Sequence, residues 1–210
     1  MAYTDFTLEI LEEKYGLAYN RRNFFTDIKP IQASDFLLQQ LEMAKQFPLR
    51  NEKMKSEFLV VPVLSFIKIR NEDAVQLFSG ENLPANRKEK LNGEVDYIWV
   101  GKPYVDELQR PIISVCEAKK GSIEDSLAQC AAQMYGARVF NQKHKKNIET
   151  IYGCISTGTE WQFMHLEGQT IWKDTKIYSL ANLPELLGVW QLVINFLRIK
   201  SKKALLLLKK

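Results

Sequence analysis

Two short apolar runs, Glu94-Val95-Asp96-Tyr97-Ile98-Trp99-Val100 and Ile112-Ile113-Ser114-Val115-Cys116, constrain this chain more than any other feature in it. Brief β-branched and aromatic runs bounded by Gly, Pro and charged turns read as strands. Each carries an acidic residue, Asp96 inside the first run and Glu117 just past the second. Twenty residues separate Asp96 from Glu117-Ala118-Lys119. Alternation along a strand sends Glu117 and Lys119 to one side and Ala118 to the other. Two neighbouring strands can therefore bring two carboxylates and one ammonium together. Two acidic oxygens form a partial shell suited to a hard cation, Mg²⁺ or Mn²⁺, that prefers carboxylates, phosphates and retained waters. A lysine beside that shell can orient or deprotonate an attacking water.

The flanking segments give this pair a context. Upstream, Phe58, Val61, Leu64 and Ile67 or Ile69 approximate a helical stripe, with Lys53 and Lys55 on its solvated part and Glu57 at its start. Pro62 inside that pattern argues for a kink or a late helix start, which would move Glu57 off the helix. Downstream, Lys120-Gly121-Ser122 makes a turn with a Ser cap, and Leu127, Cys130, Ala131, Met134 and Ala137 then recur at helical spacing. Gln129, Gln133 and Gly136 fall on another side of that helix. Residues 149–163 then read as a strand, a Thr157-Gly158-Thr159 turn and a second strand carrying Trp161 and Phe163.

At Asp96 and Glu117-Ala118-Lys119 the chain resembles the PD-(D/E)XK nuclease superfamily, with Val95 where the family's proline stands. The Gly-containing strand, T-G turn and tryptophan strand look like the N-terminal nuclease domains of type I restriction subunits and related stand-alone proteins. The resemblance implies an α/β, restriction endonuclease-like core: a central mixed β-sheet flanked by helices, here with extra N-terminal and C-terminal helices. It implies a catalytic set of Asp96, Glu117, Lys119 and Gln133, with Asp96, Glu117 and Glu57 toward the metal. Glu57 matches a glutamate that many members carry on the first core helix. Some members carry Q-x-x-x-Y on the helix after E-x-K; here Gln129 is followed by Gln133 and a displaced Tyr135, so only a looser glutamine likeness remains.

The 210 residues, 46% of them hydrophobic, suffice for one sizeable core, and nothing forces a second domain. The expected organisation is a helical extension packed on the core over 1–50, the nuclease-like core over 51–180, and a C-terminal helix with a basic tail over 181–210. In the extension, Thr4 through Tyr15 and Ala33 through Ala44 each read as a capped amphipathic helix. Asp73 through Lys90 reads as a strand, Val75–Phe78, and then a long connecting loop from which Arg87 and Lys88 can reach a phosphate backbone. Neither N-terminal helix has the layout of a secretion signal, so the expected location is the cytoplasm. Cys116, Cys130 and Cys154 lack metal-ligand spacing and read as buried free thiols. The segment Leu183 through Arg198 is too short to span a bilayer comfortably, which argues against integral membrane association and for a core helix or a homodimer helix.

Net charge is only +4, from 29 Lys plus Arg against 25 Asp plus Glu, so no global basic field argues for nucleic acid. Local clusters matter more: Lys119 with Lys120, and Lys143, Lys145 and Lys146 around His144, are candidate phosphate contacts without sequence readout. His144 and His165, the two histidines, sit in unlike settings, which disfavours a histidine triad or metal cluster. Two functions follow. One is a metal-dependent nuclease acting on nucleic acid, DNA foremost; the other is a catalytically inactive protein of that fold serving as a nucleic-acid-binding or assembly module.

Overall fold

The structure, a computed structural model, describes residues 3–101, 112–118, 121–145, 148 and 150–207, with the backbone alone over 113–118 and 197–207. The chain opens with a 3₁₀ turn, Tyr3–Asp5, and helix α1, Leu8–Tyr15. Thr7 caps α1 by accepting from the Ile10 N–H at 3.2 Å, and Gly16 closes it in the left-handed region at φ 64°. Only a residue without Cβ takes that conformation cheaply. Strand β1, Ala18–Arg21, follows, then α2, Asp35–Ala44, capped by Ser34. The N-terminal stretch expected to add helices to the core thus also supplies a strand.

The helix carrying Glu57 runs without interruption through α3, Glu52–Lys55, a π turn, Ser56–Val60, and α4, Val61–Arg70. The late start anticipated from Pro62 is corrected: the π turn accommodates the proline. Val61 donates its N–H to Ser56 O, five residues back, immediately before the position where proline has no N–H to give. This extra residue also shifts the apolar stripe. Leu59, Val60, Val63, Leu64 and Ile67 are the buried set, whereas Val61 and Ile69 are exposed. A stripe extrapolated at constant 3.6 periodicity misses that phase change.

Strands β2, Val75–Asn82, β3, Glu94–Gly101, and β4, Ile112–Ala118, form an antiparallel meander. β2 extends to Asn82, so the long connection expected before Asp96 is shortened to residues 83–93, part of which folds into a turn closed by the Asn86↔Leu91 bridge. Helix α5, Leu127–Lys143, crosses over to β5, Thr150–Ser156, which lies parallel to β4. β6, Glu160–Glu167, and β7, Thr170–Ser179, continue antiparallel, and α6, Leu183–Leu207, ends the described chain.

All seven strands join one mixed sheet in the order β1-β7-β6-β5-β4-β3-β2, with β1 parallel to β7. Both faces are buried, which is why its central strands read as near-continuous apolar runs. Ile98, Val100, Ile112, Ile151, Ile155 and Met164 pack beneath α1 and α5. Tyr97, Trp99, Tyr152, Trp161 and Phe163 pack beneath α2, α4 and α6. The result is a three-layer α/β/α molecule. Helix α6 spends Leu186, Leu187, Trp190, Val193 and Ile194 on that second core, so the core reading of the C-terminal helix holds for this stretch. No helix among the described residues is long and apolar enough to cross a membrane.

Candidate functional site

Asp96 and Glu117 lie on neighbouring strands. β3 and β4 are paired antiparallel with Tyr97 opposite Cys116 and Ile98 opposite Val115, and the same register continued by one step sets position 96 across from position 117. Directly opposed residues of an antiparallel pair project to one face with Cβ atoms about 4.5–5.5 Å apart. Ile98, two residues along β3 from Asp96, and Ile155, in register with position 117, both belong to the core beneath α5. Asp96 is half-buried, at the rim of that core. Lys119 and Lys120 lie outside the described residues.

A glycine bends the sheet at this point. Ser79↔Tyr97 and Glu81↔Val95 are paired, leaving Gly80 across from Asp96, and Gly80 has φ 66°. A left-handed residue inside a strand kinks the edge and can open space beside its neighbour. This positioning residue was missed in the sequence, although an isolated glycine within a strand pattern is a recognised bulge signal.

Helix α5 lies close on the same face because Gly153 has no side chain. A Cβ there would stand 2.4 Å from Met134 Sδ and 2.9 Å from Cys130 Sγ. Gln133, next to Met134, is 0% exposed, so its amide sits within the helix layer and not in bulk solvent. At its far end α5 grips the start of β4: the buried Asn141 amide donates to Ile112 O at 2.7 Å and accepts from Ile112 N–H at 2.9 Å. Asn141 was also missed, since at sequence level it is one more polar residue near a helix end.

The other candidates do not all gather here. Glu57 is exposed, lies 3.9 Å from Lys53, and sits on the helix packed against the opposite face. Its neighbour Ser56 hydrogen-bonds the Tyr97 hydroxyl through that opposite face, one residue along from Asp96. Lys143 and Lys145 leave α5 at the Ile112 end of β4, five positions or roughly 16 Å along the strand from Glu117. Lys143 donates to Ala85 O, whereas Lys145 is exposed in the left-handed region at φ 58°. Lys146 lies outside the described residues. Arg87 and Lys88 are exposed on the turn closed by Asn86 and Leu91, which is held to α1 by a 2.6 Å ion pair between Lys14 and Glu89.

Cys130 and Cys154 are buried, as expected. The histidines occupy unlike settings: His144 Nδ1 is 2.8 Å from Phe140 O at a helix end, while His165 is packed between Phe24 and Tyr152. Among the described residues no three His, Cys, Asp or Glu side chains gather to hold a metal. The donor set at issue is thus the cross-strand pair of positions 96 and 117. Two opposed carboxylates fit a hard divalent cation that keeps waters and takes phosphate oxygens as further ligands. Comparison with family models, curated proteins and solved structures finds no match, and the site stands on its own geometry.

Proposed function

We propose that this chain is a metal-dependent nuclease with a restriction endonuclease-like core, hydrolysing phosphodiester bonds in nucleic acid, DNA foremost. One juxtaposition carries the reading: continued one step past the Tyr97↔Cys116 pair, the β3–β4 register sets position 96 across from position 117. The order of elements supports it, with a helix, a three-stranded meander ending in Glu-x-Lys, a helix, and a strand parallel to the third. Asp96 and Glu117 would hold Mg²⁺ or Mn²⁺. When bound, the cation supplies Lewis acidity toward the phosphate and lowers the pKa of a bound water. Lys119 offsets phosphate charge and positions the water. Gln133, buried in α5, orients groups between that helix and the strands that carry the acids.

Cleavage assays test this directly. Wild-type protein should nick or degrade DNA with Mg²⁺ or Mn²⁺ and stop in chelator. Glu117→Ala and Lys119→Ala should each lower the rate about 10²-fold or more, the second while leaving metal binding largely intact. Equal cleavage by wild type and Glu117→Ala would sink the assignment. The non-catalytic binding module, favoured by the position of Glu57 on the opposite layer beside Lys53, would then lead.

A further inference from the structure

A second feature lies on the other face of the sheet. Ser114, Tyr152, His165, Trp172 and Asn20 stand in one register row across β4, β5, β6, β7 and β1. Within it Tyr152 and His165 meet edge-on with centroids 5.9 Å apart, and both are almost fully buried. Around them the surface is aromatic and basic. Phe196 stacks on Tyr152 at 5.8 Å and 23° while remaining 44% exposed. The Arg22 guanidinium lies 4.6 Å from the centroid of the half-buried Trp172 ring, and its Nη2 is 3.3 Å from His165 Nε2. Glu167, 3.9 Å from Arg22, helps hold that guanidinium over the ring. Exposed Arg21 adjoins Arg22, and directly after Phe196 the helix carries Arg198, Lys200, Lys202 and Lys203 in sequence.

From this juxtaposition we propose that the Phe196–Trp172–Arg22 surface, backed by the buried Tyr152 and His165, is a platform for single-stranded nucleic acid, with unpaired bases stacking on the accessible faces of Phe196 and Trp172 and the flanking cations meeting the phosphates. Rings interleaved with cations are the pattern single strands need, because an unpaired base offers a π-face that a duplex conceals. Phosphate neutralisation supplies affinity without sequence readout. An acidic lipid surface would use the same cations, but it needs a broad apolar face to bury, whereas Tyr152 and His165 are sunk in the core and only parts of Phe196 and Trp172 are exposed. The platform shares with the nuclease reading only the class of ligand. It stands on the opposite face from Asp96 and is independent of the two acids.

Fluorescence anisotropy with a labelled 20-nucleotide oligo-dT, in chelator and in the Glu117→Ala background, tests the platform with cleavage silenced. The single strand should bind more tightly than a duplex of equal length. Phe196→Ala should weaken it about tenfold, the size of one base–aromatic stack, and Phe196→Tyr should restore it. Arg22→Ala should weaken it and flatten its salt dependence. Wild-type affinity in both folded alanine variants would overturn the proposal. So would binding to phosphatidylserine vesicles without binding to the oligonucleotide. Wild-type protein that binds oligo-dT but cleaves no DNA with Mg²⁺ or Mn²⁺ would refute the nuclease reading and leave the platform standing.

Discussion

Asp174 shows what residue-level reading of the sequence overlooks. In sequence it is an ordinary charged residue in Trp172-Lys173-Asp174-Thr175, yet it is 0% exposed. Its carboxylate accepts from the Tyr178 hydroxyl at 2.9 Å and from the Lys176 N–H at 3.2 Å. Burial pushes its pKa above the ordinary aspartate range, and those two hydrogen bonds only partly offset the shift. A pKa raised on folding means the protonated form is favoured in the native state. Its stabilisation is fully present below the unfolded value, about 3.9, and is lost as pH rises through the higher native value. Urea midpoints measured from pH 4 to 8 should therefore show Asp174→Asn gaining on wild type as pH increases, then levelling. A constant difference across the range would show that Asp174 does not titrate in that window. By contrast, the strands that carry Asp96 and Glu117 were legible because strand alternation and an E-x-K spacing are local properties. Glu57 was not placeable, since the face its helix would cover depends on the whole sheet.

At the level of elements, α5 and β4 are set by close contacts that involve few residues. Gly153 lets α5 approach the sheet, and Asn141 ties its last turn to both backbone groups of Ile112. Removing that side chain strands a buried N–H and a buried C=O, each costing about 1–3 kcal/mol when unmet. Asn141→Ala should thus lower stability by roughly 2–6 kcal/mol, or the melting temperature by about 4–24 °C for a domain of this size. Hydrogen exchange at the Ile112 amide should rise in parallel. An unchanged melt with an unprotected Ile112 amide in wild type would show that the contact holds nothing. Because Glu117 lies near the end of the strand that Ile112 begins, the proposed cleavage should also fall in this variant. The apolar stripe of α4 illustrates the limit of periodicity: one π turn at Ser56–Val60 moves every later position, and no propensity rule signals where an i→i−5 bond will form.

The whole molecule is a three-layer sandwich in which the two faces of one sheet have different neighbours. Ile98 of β3 and Ile155 of β5 lie beneath α5, while Tyr152 of the aromatic row lies on the α6 face. If positions 96 and 117 share a cation, metal should stabilise the folded state by mass action, by about 2.7 kcal/mol at one hundred times the dissociation constant. A thermal melt of wild type should shift upward with Mg²⁺ or Mn²⁺, and the melts of Asp96→Asn and Glu117→Gln should not. Equal shifts in all three proteins would place the metal elsewhere. This readout is independent of cleavage and separates a site that binds without cutting from one that does neither.

The amino-acid sequence by itself determined the strand-forming character of Glu94–Val100 and Ile112–Cys116, the helix that follows Glu117, and the E-x-K spacing. These depend on periods of two and 3.6 residues, which are written in neighbouring positions. Tertiary structure alone decided the register that opposes positions 96 and 117, the recruitment of β1 to the sheet edge, and the layer on which Glu57 lies. It also dispersed the lysines, leaving Lys143 and Lys145 at the Ile112 end of β4. Those outcomes follow from pairing and packing between segments distant in sequence. Which strands pair is settled by burying both sheet faces at once, a condition no local window of residues contains.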